Sequence, residues 1–337
     1  MVVGDTPGHF YPALAVAEAF RRRPGDVEIS CVGPPGIGAE LAARHGLEYG
    51  VVWTAPLARV RAGARVAAAG RTLVGIAQAR RALRGLGTNL VMGFGGYASG
   101  AVVLAARTLG LRAVIHEGNL RPGLANRLLA RVADRVYLNR AAAGPSFPSH
   151  RIRVTGWPVR AEVCALADLP RDHPGRRRPA RILVCSGSRG GVFFAREVPR
   201  LVAHIAAEGG RVEVRHQSGD APPAAIGDAY APAGIAACVP PFIDDLPAAY
   251  RWADFVIARA GAGTLAELAV AGLPSLLVPL ADAADDHQQK NAEWFGAEGA
   301  ALWTRERDWD AAALAPRVAQ VLQDETRWML TPRGPRG

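Results

Sequence analysis

Phe255-Val256-Ile257-Ala258-Arg259-Ala260-Gly261-Ala262-Gly263-Thr264-Leu265-Ala266-Glu267 carries the reading of the fold. A short apolar run gives way to a glycine turn, and the turn to helix formers. Strand, glycine turn, helix is the unit from which parallel α/β sheets are built. The unit recurs along the chain. Ile182-Leu183-Val184-Cys185 leads into Ser186-Gly187-Ser188-Arg189-Gly190-Gly191, and Leu90-Val91-Met92 into Gly93-Phe94-Gly95-Gly96-Tyr97. Met1-Val2-Val3 leads into Gly4-Asp5-Thr6-Pro7-Gly8-His9, although three residues are short for a strand of about 5–6. Two units fall in each half, and the Pro-, Gly- and Arg-rich run 170–179 between the halves has linker composition. The expectation is an α/β chain of two Rossmann-like domains, their parallel sheets facing a central cleft. Residues 1–160 form the first, 161–180 a linker, 181–325 the second and 326–337 a tail. A length of 337 residues agrees with two domains at roughly 100–200 residues each.

Half of the residues are apolar and 21% are charged, a globular composition that excludes a largely disordered chain. No charge-free apolar run reaches about 18 residues, so no spanning helix is expected, and the N-terminus lacks the pattern of a signal peptide. Cys31, Cys164, Cys185 and Cys238 lie far apart and pair with no His at ligand spacing. Neither a zinc site nor a disulfide framework is expected, and a reducing compartment is. The net charge is +10, and Lys290 is the single lysine. A surface of arginine forks calls for an anionic partner: a phosphorylated substrate, an anionic membrane or nucleic acid. Helix-turn-helix, zinc-finger and RNP patterns are absent, which disfavours nucleic acid.

Glycine turns at strand ends leave backbone N–H groups open, and the following helix N-terminus adds a positive partial charge, so a diphosphate fits there. The plainer alternative is a tight turn that needs glycine for its own sake. Neither a Walker A motif nor a clean dinucleotide fingerprint is present. Thr264 and Glu267 stand three residues apart, on one face of a first helical turn. That spacing suits a phosphate contact with a ribose-binding carboxylate, and equally a capping box. His9, just after a glycine turn, has the chemistry of a general base or is simply a helix-start residue. Asp285-Asp286-His287-Gln288-Gln289 has poor ligand spacing for a metal and reads as a solvated helix start. Arg59, Arg61, Arg65, Arg71, Arg80, Arg81 and Arg84 flank an apolar stretch from Pro56 to Leu86, which reads as a membrane-resting face or an ordinary amphipathic helix.

Taken together, Gly93–Gly100, His116-Glu117 with Asn119, Pro122–Arg127, Pro241–Asp245, Arg259–Glu267 and Asp285–Gln288 resemble the MurG family, the bacterial N-acetylglucosaminyltransferases of peptidoglycan synthesis. The resemblance runs from Gly4 to about residue 300. It implies a GT-B fold, an acceptor- and membrane-facing first domain, and a second domain holding the donor. It implies inverting transfer of N-acetylglucosamine from UDP-N-acetylglucosamine to the muramyl 4-hydroxyl of lipid I, giving lipid II, without metal or cofactor. The partners it implies are the donor, the lipid acceptor and the anionic cytoplasmic face of the plasma membrane, where the protein is peripheral. His9, Glu267 and Gln288 correspond to the catalytic set. Thr6, Pro7 and Gly8 fall by the reacting sugar and the acceptor diphosphate. Asn119 falls by the donor sugar, Arg160 and Ser188 by the donor diphosphate, and Ile243 by uracil. Ala262, Gly263, Thr264, Leu265 and Ala266 form the phosphate turn, with Glu267 on the ribose and Gln288 on the sugar hydroxyls. The chain also departs from the pattern. Asp5 and Pro7 stand where the first loop has glycine, and Pro7 removes an N–H. Gly118 replaces Gln in His-Glu-Gln-Asn, and Trp157 replaces Asn before Pro158. Ser186 and Arg189 replace Gly and Gln in the third loop. Alternatives within reach are a relative with another acceptor, a nucleotide-sugar epimerase, and a non-catalytic paralogue that binds UDP-sugar.

Overall fold

The computed structural model describes residues 1–4, 6–53, 65–169, 178–187, 191–281, 286–299 and 301–323, with the backbone alone at 65–69. The chain divides into two compact units, one from Met1 to Arg160 and one from Ala161 onward. In the first, the order is α1 (Pro7–Arg21), β1 (Ser30–Gly33), α2 (Ile37–Arg44), β2 (Glu48–Val51), α3 (Arg65–Gly85), β3 (Leu90–Gly93), α4 (Gly96–Thr108), β4 (Arg112–Glu117), α5 (Leu124–Leu129), β5 (Arg135–Leu138) and β6 (Ile152–Val154). Parallel pairing joins β1 to β2, and β3, β4, β5 and β6 in that order.

Val2 connects these two groups. It bridges Val32 on one side and Gly93 on the other, both in parallel. Its N–H donates to Met92 O at 2.7 Å, its carbonyl accepts from Phe94 N at 3.1 Å, and Val3 N donates to Val32 O at 3.0 Å. Met1–Val3 therefore occupies a central strand position despite its length, and the buried side chains of Val2 and Val3 fill the core there. Chain order reverses at this point: β1 and β2 lie to one side of Val2, β3 to β6 to the other. Ligands of open α/β sheets bind outside the carboxyl ends of strands at such a switch point.

The second unit runs α6 (Ala161–Cys164), β7 (Ala180–Cys185), α7 (Gly191–Ala207), β8 (Val212–His216), α8 (Pro223–Tyr230), β9 (Ala236–Cys238), α9 (Leu246–Trp252), β10 (Phe255–Ala258), α10 (Ala262–Ala271), β11 (Ser275–Leu277), α11 (His287–Ala297), β12 (Leu302–Trp303) and α12 (Ala311–Gln323). Its all-parallel sheet has the order β12-β11-β10-β7-β8-β9. The switch point lies between β7 and β10, whose four residues 255–258 are buried without exception because helices cover both faces. Ile182, Val184, Phe255 and Ile257 pack with Phe194, Val198 and Leu201 of α7 and with Leu314 and Val318 of α12.

The expected linker is partly structured. Ala161–Cys164 and a 3-10 turn at Ala165–Asp168 pack on α10 and belong to the second unit, with Val163 and Leu166 buried. Apolar residues at this spacing make the segment a short helical arm. The Arg-rich part at 170–177 and the tail at 326–337 lie outside the described residues.

Candidate functional site

At the first switch point, Thr6 is the N-cap of α1 and Pro7 its first residue, where the missing N–H has no intrahelical role. The Thr6 side chain makes no cap bond; Thr6 Oγ1 lies 3.0 Å from His9 Nδ1. The imidazole is wedged over the glycines of both loops. A Cβ on Gly4 would fall 2.3 Å from His9 Nδ1, and one on Gly95 would fall 3.3 Å from Nε2. Gly96 approaches so closely that its Cβ would sit 3.0 Å from the Gly4 Cα. Gly95 and Gly96 also hold φ of 97° and 77°, which side chains resist. Glycine is therefore required here both by backbone angle and by contact with His9. Pro7 and Gly8 form the first turn of the same helix, with Gly8 exposed. Asp5 lies outside the described residues.

The next strand carries a buried polar cluster. Glu117 is 3% exposed, and its carboxylate accepts from Asn119 N at 2.9 Å, Asn119 Nδ2 at 3.2 Å, Asn126 Nδ2 at 2.9 Å and Gly123 N at 3.3 Å. Burial pushes its pKa up and these bonds oppose the shift. The arrangement fixes the loop that presents Asn119. His116 Nε2–H donates to Gly156 O at 2.9 Å, and burial lowers this imidazole to about 4, so it is neutral at pH 7. Arg160, buried at the end of the 156–160 loop, lays its guanidinium 4.4 Å over the Tyr11 ring of α1. The structure thus brings Arg160 beside the helix of the first glycine loop.

At the second switch point, the N-cap of α10 is Gly261, not Thr264, and no side chain caps the helix. The capping-box alternative is thereby excluded, since Thr264 stands at the third helical position and Glu267 a full turn further in. Glu267 instead accepts from Tyr250 Oη at 3.1 Å. Ala262, Gly263 and Thr264 carry the first-turn N–H groups that lack intrahelical acceptors by position. Leu265 differs: its N–H donates to Gly261 O at 3.0 Å and its side chain is buried. Leu265 and Ala266 thus build the helix behind the turn. The turn is tied down from two sides. Asn291 Nδ2, on α11, donates to Ala260 O at 3.1 Å. The Arg259 guanidinium pairs with Glu306 at 2.5 Å, donates to Val278 O and stacks 4.5 Å over Phe194.

Gln288 and Ile243 both follow strands of this parallel sheet, β11 and β9. Gln288 Oε1 accepts from Leu280 N at 3.0 Å, which holds the start of α11 against the end of β11. Asp286 takes the position before that helix with φ 51° and is exposed, a solvated helix start; Asp285 lies outside the described residues. No group of metal-ligand type occurs among the described residues. Ile243, half-buried, sits in the segment after β9, where Pro240 O and Pro241 O accept from Ser218 N and Gly219 N. Ser188 and Arg189 lie outside the described residues, although flanking Ser186 is fully buried and donates to Gln217 O at 3.1 Å. Sequence reading misses Tyr250, Asn291 and Tyr11. Their only local signals are an apolar helix face, a mid-helix amide and an aromatic in a second helical turn, and partners 17, 31 and 149 positions away cannot be seen locally.

Comparison with known proteins agrees with this geometry. Residues 1–138 match the glycosyltransferase family 28 N-terminal domain and residues 181–333 the family 28 C-terminal domain. Fold and family matches thus define a two-domain glycosyltransferase of the GT-B class, with a parallel sheet and glycine turns in each domain. Relatives named UDP-N-acetylglucosamine--N-acetylmuramyl-(pentapeptide) pyrophosphoryl-undecaprenol N-acetylglucosamine transferase include those of Xylella fastidiosa, 41% identical over 91% of this chain and 83% of the relative, and Stutzerimonas stutzeri, 42% identical over 96% and 88%. The crystal structure of Acinetobacter baumannii MurG superposes with a TM-score of 0.73 at 28% identity, covering 99% of this chain and 95% of that one. The chain belongs to the MurG family of glycosyltransferases. A Listeria monocytogenes protein described as a UDP-N-acetylglucosamine 2-epimerase, at 16% identity and TM-score 0.67, shares the fold alone.

Proposed function

We propose that the chain transfers N-acetylglucosamine from UDP-N-acetylglucosamine to the muramyl 4-hydroxyl of lipid I, forming lipid II with inversion at the sugar C1. The observation that carries the donor half is Glu267. A carboxylate released from any capping duty, oriented by a buried tyrosine and set one turn behind an uncapped helix N-terminus, suits a ribose next to a diphosphate. Ala262, Gly263 and Thr264 donate to the phosphates, supported by the helix dipole. Gln288 reads the sugar hydroxyls, Ile243 meets uracil, and Arg160 and Ser188 add charge and a hydroxyl to the diphosphate.

His9 is the base. Thr6 Oγ1 lies 3.0 Å from His9 Nδ1, and in the tautomer whose Nδ1–H donates to this hydroxyl, Nε2 carries the lone pair that a base needs. Nε2 takes the proton of the 4-hydroxyl as that oxygen bonds to C1, and the C1–O bond to UDP breaks on the opposite face. The leaving diphosphate keeps its electron pair, stabilised by the α10 N-terminus. Thr6, Pro7 and Gly8 line the acceptor side, and Asn119 steadies the sugar.

The protein rests peripherally on the anionic cytoplasmic face of the membrane. No helix among the described residues is long and apolar enough to cross a bilayer. α4 packs against both α3 and α5, and each of the three helices carries exposed apolar side chains: Leu73 and Val74 on α3, Tyr97 on α4, Leu124 and Leu128 on α5. Exposed Arg71, Arg81, Arg84, Arg121 and Arg127 accompany them. Apolar contact with flanking cations is the composition of an interfacial face.

UDP release on adding lipid I to protein and donor tests the activity. Release that depends on lipid I supports it, and release only with another acceptor, or none, opposes it.

A further inference from the structure

We propose that Trp157 is a specificity-determining residue that stacks the apolar face of a hexopyranose, and that Gly118 is glycine to make room for it. The inference rests on the reading above that the protein's substrates are sugars. Trp157 follows β6 and Gly118 follows β4, so both stand at the carboxyl edge of the first sheet. A Cβ on Gly118 would fall 1.8 Å from Trp157 Cζ3 and 2.4 Å from Cε3. No side chain at 118 can coexist with the indole where it lies. The two departures from the family pattern are thus one feature: an aromatic ring occupies the space of an absent side chain.

The ring is held firmly. His116 meets it edge-on, with centroids 5.2 Å apart and planes at 72°, and His116 in turn stacks with Phe94 at 6.0 Å. The bond from His116 to Gly156 O fixes the residue before Trp157, and Pro158, the residue after it, restricts the Trp157 backbone to extended conformations. Phe94 and His116 are buried, whereas Trp157 is only half-buried. A rigid indole with part of its surface open costs little ordering entropy on binding. Asn119, the residue after Gly118, is fixed by the Glu117 carboxylate. A pyranose has C–H groups on one face and hydroxyls at its rim, which an aromatic plane beside an amide complements. Either substrate could present that ring: the donor's N-acetylglucosamine or the acceptor's muramyl sugar.

The test measures KM for UDP-N-acetylglucosamine and for lipid I separately, with UDP affinity by calorimetry, in the parent, Trp157→Phe, Trp157→Ala, Gly118→Gln and the double variant Gly118→Gln/Trp157→Asn. Trp157→Ala should raise KM for one of the two sugars about three- to tenfold, as expected for one lost aromatic contact. The substrate affected identifies the ring. Trp157→Phe should recover most of the loss, and UDP, which has no hexopyranose, should bind all Trp157 variants equally. Gly118→Gln alone should lower the melting temperature. The double variant should regain stability without regaining the parent KM. Unchanged KM for both substrates in Trp157→Ala, or UDP affinity falling in step with donor KM, overturns the proposal; so does parent KM in the double variant. A parent that neither binds UDP nor turns over instead removes the sugar-substrate reading, and this inference with it.

Discussion

Glu267 shows how one side chain's partner changes its meaning. At three residues from Thr264 it has the spacing of a cap, and only the fold shows that the helix begins at Gly261 and that Tyr250 holds the carboxylate. Glu267→Ala should weaken UDP binding by about 1.5–3 kcal/mol, the range for hydrogen bonds to a charged group. Tyr250→Phe should cost about 0.5–1.5 kcal/mol, since it removes one donor to the same carboxylate and keeps the packing. Calorimetry with UDP measures both, and Tyr250→Phe exceeding Glu267→Ala would show that the tyrosine acts other than through Glu267. His9, the proposed base, would act at a different step. His9→Ala should lower kcat by ~10²–10⁴-fold with little change in donor affinity, because a positioned base contributes only in the transition state. Turnover at the parent rate would transfer the role to another group, with Asp5 the first candidate to replace by glycine.

The elements were legible in proportion to how local their cause is. Glycine turns after apolar runs mark β3, β7 and β10 and the helices that follow, since strand, turn and helix N-terminus are set within a dozen residues. Met1–Val3 was not legible as a central strand. Its standing comes from Val32 and Gly93, which bond it from both sides. The helical arm at 161–168 was hidden for a related reason, as its Val163 and Leu166 are buried by α10, far along the chain. The candidate site divides the same way: the loop residues stand out in sequence, whereas the side chains that orient them do not. The α3–α5 face yields a prediction of its own. Replacing Leu124 and Leu128 together by Glu should lower association with vesicles containing anionic lipid, because the change removes apolar contact and adds like charge. Salt should weaken binding of the parent, each arginine near the surface contributing about 1 kcal/mol that screening reduces. Sedimentation across a salt series checks this, and binding indifferent to salt and to both substitutions would place the membrane contact elsewhere.

Among the described residues, each of the two units buries one histidine in its neutral form: His116 in the first and His216, bonded through Nδ1 to Tyr230 Oη at 2.9 Å, in the second. Burial lowers both to about 4 from 6.5. Between those values the unfolded chain binds more protons than the folded one, so stability rises with pH across this window and is lost as pH falls through it. His216 should cost the second unit on the order of 1–3 kcal/mol between pH 7 and pH 4, whereas in the first unit Glu117, its pKa raised by burial, titrates with the opposite sign and offsets part of the His116 loss. Urea unfolding at pH 7.5 and pH 5 measures the trend, and equal midpoints at the two values would contradict it.

Mass spectrometry of the lipid product decides whether the protein carries out the transfer. Lipid I incubated with UDP-N-acetylglucosamine and the protein should gain the mass of one N-acetylhexosamine residue, with one UDP formed per lipid converted. The product should fall sharply with Glu267→Ala and with His9→Ala. Lipid I recovered at its original mass, from protein that binds UDP with normal affinity, would contradict the account and leave a UDP-sugar-binding protein without this transfer.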